Sequence, residues 1–361
     1  MQIESYNPAQ LQTLIDSDFY KNLTQIPISY HRAVSHIHNP DVEEDDELLW
    51  AAYEAERLVG YVGVLPGFIH VNQERKKIFW LSCFWVDERF RKSNVASLLF
   101  FSLMKRCKTQ LFISNFLPNL EKTYQSLGIF KPTIYKTGTR FFCRSCFGDL
   151  LPVRFPKIKF LKPLFSLVDF LLNLIFNLRK IFDKSLTIHS QIIHDENFDE
   201  ELQLFLQSFY KDKNYVERHA AHFQWILQNP WVLQGKADAE SKRYFFSSKA
   251  EQFEYDFVKF YKNDRLSALA LLKTRDQKLS ISYIFAEDEM YEDVTNYILQ
   301  KIAHEKLKVL TTFDEQIANR IRKYRTRYLF KHNYKRPYII PKMQEINPEV
   351  FQEGDGDNAF T

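Results

Sequence analysis

Residues 86–100 read VDERFRKSNVASLLF, and the fold turns on them. An apolar run ending at Val86 breaks into a basic loop without glycine, then resumes at Val95, Leu98 and Leu99 with the spacing of one helix face. A loop entering a helix leaves backbone N–H groups unpaired at the positive end of the helix dipole, where anions bind. An ordinary surface turn has the same ingredients, so the flanking sequence has to decide.

Upstream, the pattern predicts an early strand, a helix near Ala9 to Leu23, and two strands in LLWAAYEAERLVGYVGVLP joined as a hairpin at Glu56-Arg57. The next run, KIFWLSCFWV, is apolar on both faces and predicts a central strand covered above and below. Downstream come a helix from about Ser93 to Lys108, a strand LFISNF, a short helix stopped by Gly128, and more strand towards Cys146. The second half repeats this order with different residues. YDFVKFY, RLSALALLKT and KLSISYIFA read as strands, Tyr291 to Lys306 as a helix, KVLTTF as a strand and Glu315 to Tyr324 as a helix. Repeated order without repeated identity predicts two related, diverged domains.

Composition bounds the alternatives. A chain of 361 residues, 45% hydrophobic with 33 Phe and 19 Tyr, can bury two cores. The first ten residues have neither a basic nor an apolar leader, and no long uncharged apolar run occurs, which predicts a cytoplasmic protein. Cys83, Cys107, Cys143 and Cys146 lack the spacing of a disulfide framework, and the Cys143/Cys146 pair has no second pair to complete a zinc site. His31, His36 and His38 stand near Asp41, Glu43 and Glu44 without metal-ligand spacing, so no metal is expected. Arg320 to Arg336 interleaves basic residues with tyrosines; it reads as a solvated face, and no nucleic acid partner is expected.

The net charge of +4 is unevenly placed: residues 152–184 hold seven basic residues, among them Arg179, Lys180 and Lys184, against Asp169 and Asp183. Within them PLFSLVDFLLNLIFNLRKIF is the most apolar stretch of the chain, with Ser166, Asp169, Asn173 and Asn177 in one narrow polar stripe. It is expected to be a connecting helix buried between the domains. Peripheral membrane contact through 163–182 is the other reading.

Residues 48–130, in the order strand, strand, strand, loop, helix, strand, helix, resemble the GCN5-related N-acetyltransferases. The acyl-CoA loop of that family reads Arg or Gln, two residues, Gly, one residue, Gly or Ala. Here Arg91-Lys92-Ser93-Asn94-Val95-Ala96 keeps Arg91 and Ala96 and has Asn94 at the first glycine, the residue that best tolerates a left-handed backbone in its place. LEKTYQSLGIF resembles the family helix whose tyrosine protonates departing coenzyme A, which marks Tyr124. The Trp225 to Pro230 segment, HFQWILQNPWV, resembles a Trp-x-x-x-Asn-Pro segment near the start of many members. After KLSISYIFA, however, EDEMYEDV is acidic where a phosphate would sit.

The resemblance implies an α/β fold, an α+β mixed sheet in each of two acyl-CoA N-acyltransferase-like domains joined by an amphipathic helical segment. The expected division is 1–148 for the acyl-CoA-binding domain, 149–185 for the basic linker and 186–361 for a degenerate copy. Acetyl-CoA or another acyl-CoA is the implied cosubstrate, held by Phe84, Val86, Arg91, Lys92, Ser93, Asn94, Val95, Ala96 and Asn115. Tyr124 is the implied acid, and Glu54 and Asp87 are the base candidates. The acceptor is a small-molecule amine, with amino sugars and peptides as its forms. Two rivals stand beside this: an aminoacyl or peptidoglycan-directed transferase of the same fold, and a non-catalytic tandem binding module.

Overall fold

The computed structural model describes residues 1–180, 185–210, 213–342 and 345–361, so Phe182 and Lys184 of the apolar basic stretch lie outside the described residues, as do the side chains of Arg179 and Lys180. Two units result, and neither is contiguous in sequence. One comprises Met1–Lys136, Glu196–Phe253 and Arg336–Thr361; the other comprises Thr137–Asp195 and Glu254–Lys335. The units therefore do not follow the expected boundaries at 148 and 186.

In the first unit β1 (Gln2–Tyr6), β2 (Leu49–Glu54), β3 (Arg57–Val71) and β4 (Glu74–Val86) pair antiparallel in that order, and β5 (Leu111–Ser114) joins β4 in parallel. The hairpin turns are Ala55-Glu56 and Asn72-Gln73, and all four residues have positive φ. That backbone matches the strand twist in two-residue hairpins. The first turn lies one residue before the expected Glu56-Arg57. One sheet face carries α1 (Pro8–Asp16), α2 (Asp18–Asn22) and α3 (Tyr30–Ile37), with Leu11, Ile15, Tyr20 and Tyr61 in the core. Ser17 ends α1 and its Oγ accepts the Tyr20 N–H at 3.1 Å, so the stretch that reads as one helix is two. The other face carries α4 (Val95–Cys107) and α5 (Glu121–Ser126), with Leu99, Leu103 and Tyr124 packed on Val62, Phe79 and Ile113. Coverage on both faces is why β4 is apolar from Ile78 onwards, past its charged start Glu74 to Lys77.

β4 and β5 pair only at Phe79/Leu111 and Trp80/Phe112. Beyond Trp80, β4 continues along β3 to Val86, while β5 takes Tyr338 and Ile339 on its other edge. The two strands part into a fork.

From β6 (Ile134–Phe142) the chain enters the second unit, where α6 (Phe147–Arg154) and α7 (Lys162–Lys180) form a hairpin through the turn Pro156–Leu161. Then come β7 (Gln191–Ile193), β8 (Phe253–Lys262), β9 (Arg265–Arg275), β10 (Lys278–Ala286), α8 (Tyr291–His304) and β11 (Val309–Thr312). The sheet order is β7-β8-β9-β10-β11-β6, with β9/β10 antiparallel and β10/β11 parallel. An antiparallel pair, a helix and a parallel strand thus recur here, as in β3, β4, α4 and β5.

Two expectations are corrected. The Trp225 to Pro230 segment packs in the first unit: Trp225 Nε1 donates to Ser35 O and Trp231 Nε1 to Ser35 Oγ, each at 2.7 Å. The helix α7 is not a buried connector. Leu164, Leu167, Phe170, Leu171, Leu174, Ile175 and Leu178 are each 50–64% exposed. The middle of its polar stripe faces inwards instead, while Ser166 and Asn177 at its ends stay exposed, because backbone N–H groups within residues 145–148 need acceptors: Asp169 accepts from Ser145 Oγ and from the N–H of Phe147 and Gly148, and Asn173 from the N–H of Ser145. Gly148 permits this approach, since a Cβ there would stand 2.8 Å from Ser166 Oγ.

Candidate active site

The helix α4 starts where the loop ends. Its first backbone bond runs from Leu98 N–H to Asn94 O at 2.9 Å, which places Asn94 at the N-cap and leaves the N–H groups before Leu98 without intrahelical partners. Arg91, Lys92, Ser93, Asn94 and Ala96 are exposed around that end, while Val95 is buried against the sheet. The Ser93 Oγ accepts the Val95 N–H at 3.3 Å. Arg89 pairs with Asp87 at 2.6 Å and Arg91 with Glu88 at 2.9 Å. An exposed helix end with free N–H groups and cations beside it fits the pyrophosphate of a coenzyme.

The fork supplies the second part. Between the pairs Tyr61/Trp85 and Gly63/Ser82 the strand β4 carries one residue more than β3, a bulge at Cys83 and Phe84, and Cys83 has φ +50°. A left-handed backbone at a non-glycine strand residue marks a position held by its surroundings. The bulge breaks the ladder where Phe84 and Val86, both half-buried, face α4 and α5, and Cys83 and Trp85 face the opposite core. Burial pushes the Cys83 thiol above its usual range.

On the α3 side the fork is lined by groups that, Asn115 apart, the sequence reading did not select. Arg32, buried, donates to Ser82 Oγ, and Ser82 donates to Asp357 at 2.8 Å. Asn115, at the end of β5 with φ +53°, donates from its amide to Asn358. Gly356, at φ +70°, lies flat on Trp80; a Cβ there would stand 3.2 Å from the indole. Phe351 stacks on Tyr338 with centroids 4.5 Å apart, and Phe360 stacks on Trp231 at 4.5 Å. Residues 351–360 thus contact both arms of the fork. The sequence signal was there, two glycines flanking acids beside two phenylalanines, but no local pattern says what such a segment packs against.

Tyr124 is buried between Phe100 and Phe116, each 5.7 Å away between centroids, and burial pushes its phenol up to about 12. It therefore holds its proton at neutral pH. Asp87 caps the turn Glu88–Phe90 and lies between Arg57 (3.5 Å) and Arg89. With Trp85, Glu56 and residues 22–25 it lines a cleft of about 490 Å³. Glu54 is exposed at the end of β2 and is not among the cleft residues. The acidic group Glu43, Asp45 and Asp46 is committed to Lys77 and Arg106 by ion pairs of 2.6–2.8 Å.

In the second unit the corresponding helix start carries acids in its first turn. Asp293, in the first turn of α8, accepts the N–H groups of His189 and Ser190 at 3.1 and 2.7 Å.

Residues 10–128 match the model of the Acetyltransferase (GNAT) family. No curated protein matches the sequence. Among solved structures the chain is similar to a conserved protein of unknown function from Enterococcus faecalis described as a probable N-acyltransferase, with a TM-score of 0.54 and 8% identity over 95% of this chain and 73% of that one. It is also similar to a GCN5-related N-acetyltransferase from Anabaena variabilis, with a TM-score of 0.50 and 9% identity over 93% and 72%. At such identity these neighbours speak to the fold alone.

Proposed function

We propose that the first unit, whose residues 10–128 match the model of the Acetyltransferase (GNAT) family, transfers an acetyl or other acyl group from acyl-CoA to an amine. The observation that carries this reading is the fork of β4 and β5, bulged at Cys83 and set beside the open N-terminus of α4. Backbone N–H groups of the Lys92 to Ala96 loop that the fold leaves open, those of Lys92, Asn94 and Ala96, hold the pyrophosphate, with Arg91 and Lys92 adding charge, while the Ser93 and Val95 N–H groups are spent on Phe90 O and Ser93 Oγ. The acyl arm enters the fork on the side of Phe84 and Val86, and a backbone N–H of the bulged strand end polarises the thioester oxygen. The amine enters from the cleft walled by Trp85 and Asp87. Its nitrogen bonds to the acyl carbon, the carbon–sulfur bond breaks, and the Tyr124 phenol protonates the leaving thiolate.

The amine proton needs an acceptor. Asp357, hydrogen-bonded to Ser82 inside the fork, takes that role in our reading, in place of Glu54 and ahead of Asp87, whose carboxylate is held by two arginines. The second unit is a degenerate copy: its strand and helix order follows the first, and Asp293 spends the N–H capacity of a neighbouring segment where an anion would need positive charge.

Calorimetric titration of the full chain with coenzyme A and acetyl-CoA, followed by thiol release against a panel of amines, tests the reading. Saturable coenzyme binding and amine-dependent thiol release are expected. Absence of coenzyme binding refutes it, and binding without thiol release for any amine favours a non-catalytic module.

A further inference from the structure

The hairpin of α6 and α7 turns most of its large apolar side chains to solvent, and hydrogen bonds fix that orientation: Asp169 and Asn173 face inwards, spent on residues 145–148, and of the α7 phenylalanines Phe176 is buried. The exposed row along α7 continues through the turn, where Phe160 is 77% and Val153 82% exposed, with Phe147, Leu150 and Phe155 beside them. Contiguous apolar surface of this extent on a soluble unit marks a contact face.

Its charge says what the contact is. The exposed ions in and flanking the hairpin's turn are Arg154, Lys157, Lys159 and Lys162, all cationic. The acids are accounted for: Asp169 points inwards, and Asp149 pairs with Lys308 at 2.5 Å. Two copies meeting through this face about a two-fold axis would bring like-charged rims together. An anionic headgroup layer complements it. The shape agrees, since α7 is a convex rod of 19 residues, about 28 Å long, and not a groove for a peptide. Among the described residues no helix is long and apolar enough to cross a membrane. We infer that the α6–α7 hairpin lies flat on bilayers with anionic headgroups, its leucines and phenylalanines in the interfacial layer and its lysines among the phosphates. This inference is independent of the acyl-transfer reading, because its readout is binding.

The test is sedimentation of the full chain with vesicles of phosphatidylcholine alone, or with a minority of phosphatidylserine, at low and high salt. Sedimentation is expected with the anionic vesicles only, reversed by salt. Lys157→Gln with Lys159→Gln should weaken partitioning roughly 25-fold, the product of about fivefold per cation near an anionic surface. Phe170→Gln with Leu174→Gln should abolish sedimentation while leaving the melt unchanged, since both side chains are already exposed. Failure to sediment, or equal binding to neutral vesicles, overturns the inference. So does a wild-type dimer in light scattering that becomes monomeric in the Phe170/Leu174 variant without any vesicle binding, which would assign the face to a second copy.

Discussion

Replacing Asn94 by Asp separates helix capping from anion binding, because the two respond with opposite sign. Asn94 accepts the first intrahelical bond of α4 through its carbonyl, so its side chain stands at the N-cap, where Asp and Asn are about equally good. A carboxylate there also meets the positive end of the dipole, a favourable term of about 0.3 to 1 kcal/mol in the free protein. The Asp variant should therefore melt at or slightly above the wild-type temperature. Coenzyme binding should move the other way. A unit charge about 6 Å from a phosphate, at an effective dielectric between about 20 and 80, costs about 0.7 to 2.8 kcal/mol, or roughly threefold to a hundredfold in Kd. Titration calorimetry with coenzyme A at low and high salt reads the effect, and the loss should shrink as salt screens the pair. Asn94→Gly is the control: it removes the side chain at the N-cap position but adds no charge, and its affinity should stay near wild type. An Asp variant that is folded and binds coenzyme A with unchanged affinity at low salt would refute the placement of phosphate at this helix end.

Tyr124→Phe should lower turnover roughly 10²-fold or more with coenzyme affinity nearly intact, the pattern of a group acting in the transition state; full activity would make Tyr124 a packing residue only. Because burial raises its phenol to about 12, the group stays protonated in the fold while it ionises in the unfolded chain above pH 10. Its contribution to stability is complete below pH 10 and is lost as pH rises towards 12, and an alkaline activity limb near pH 9 that disappears in the Phe variant would contradict this assignment. Asp357→Asn keeps an acceptor for Ser82 but removes the base, so kcat/KM should fall about 10²-fold or more at neutral pH; wild-type rates in the folded variant would return the role to another group.

What the sequence determined by itself is local and periodic. The run from Lys77 to Val86 is apolar on both faces because helices cover both sides of β4, and the break at Asp87 with renewed spacing from Val95 fixed a strand, loop and helix in that order. Those features depend on neighbours a few residues away, which is why the loop Arg91 to Ala96 could be singled out before any fold was known, while Tyr124 was marked only by the resemblance of LEKTYQSLGIF to a family helix. The hairpin turn at Asn72-Gln73 was harder to see, since it lacks the glycine that usually marks positive φ. What only the tertiary structure decided rests on contacts between distant segments. Residues 196–253 and 336–361 belong with the first unit, so the division of the chain could not be read along its length. Asp357 reaches Ser82 across 275 residues, and nothing local to GDGDNAFT announces that bond. The helix α7 makes the same point through its polarity. Its pattern correctly marked two faces, but which face meets solvent was set by the unsatisfied backbone N–H groups of residues 145–148, which claimed Asp169 and Asn173 and left the leucines outside.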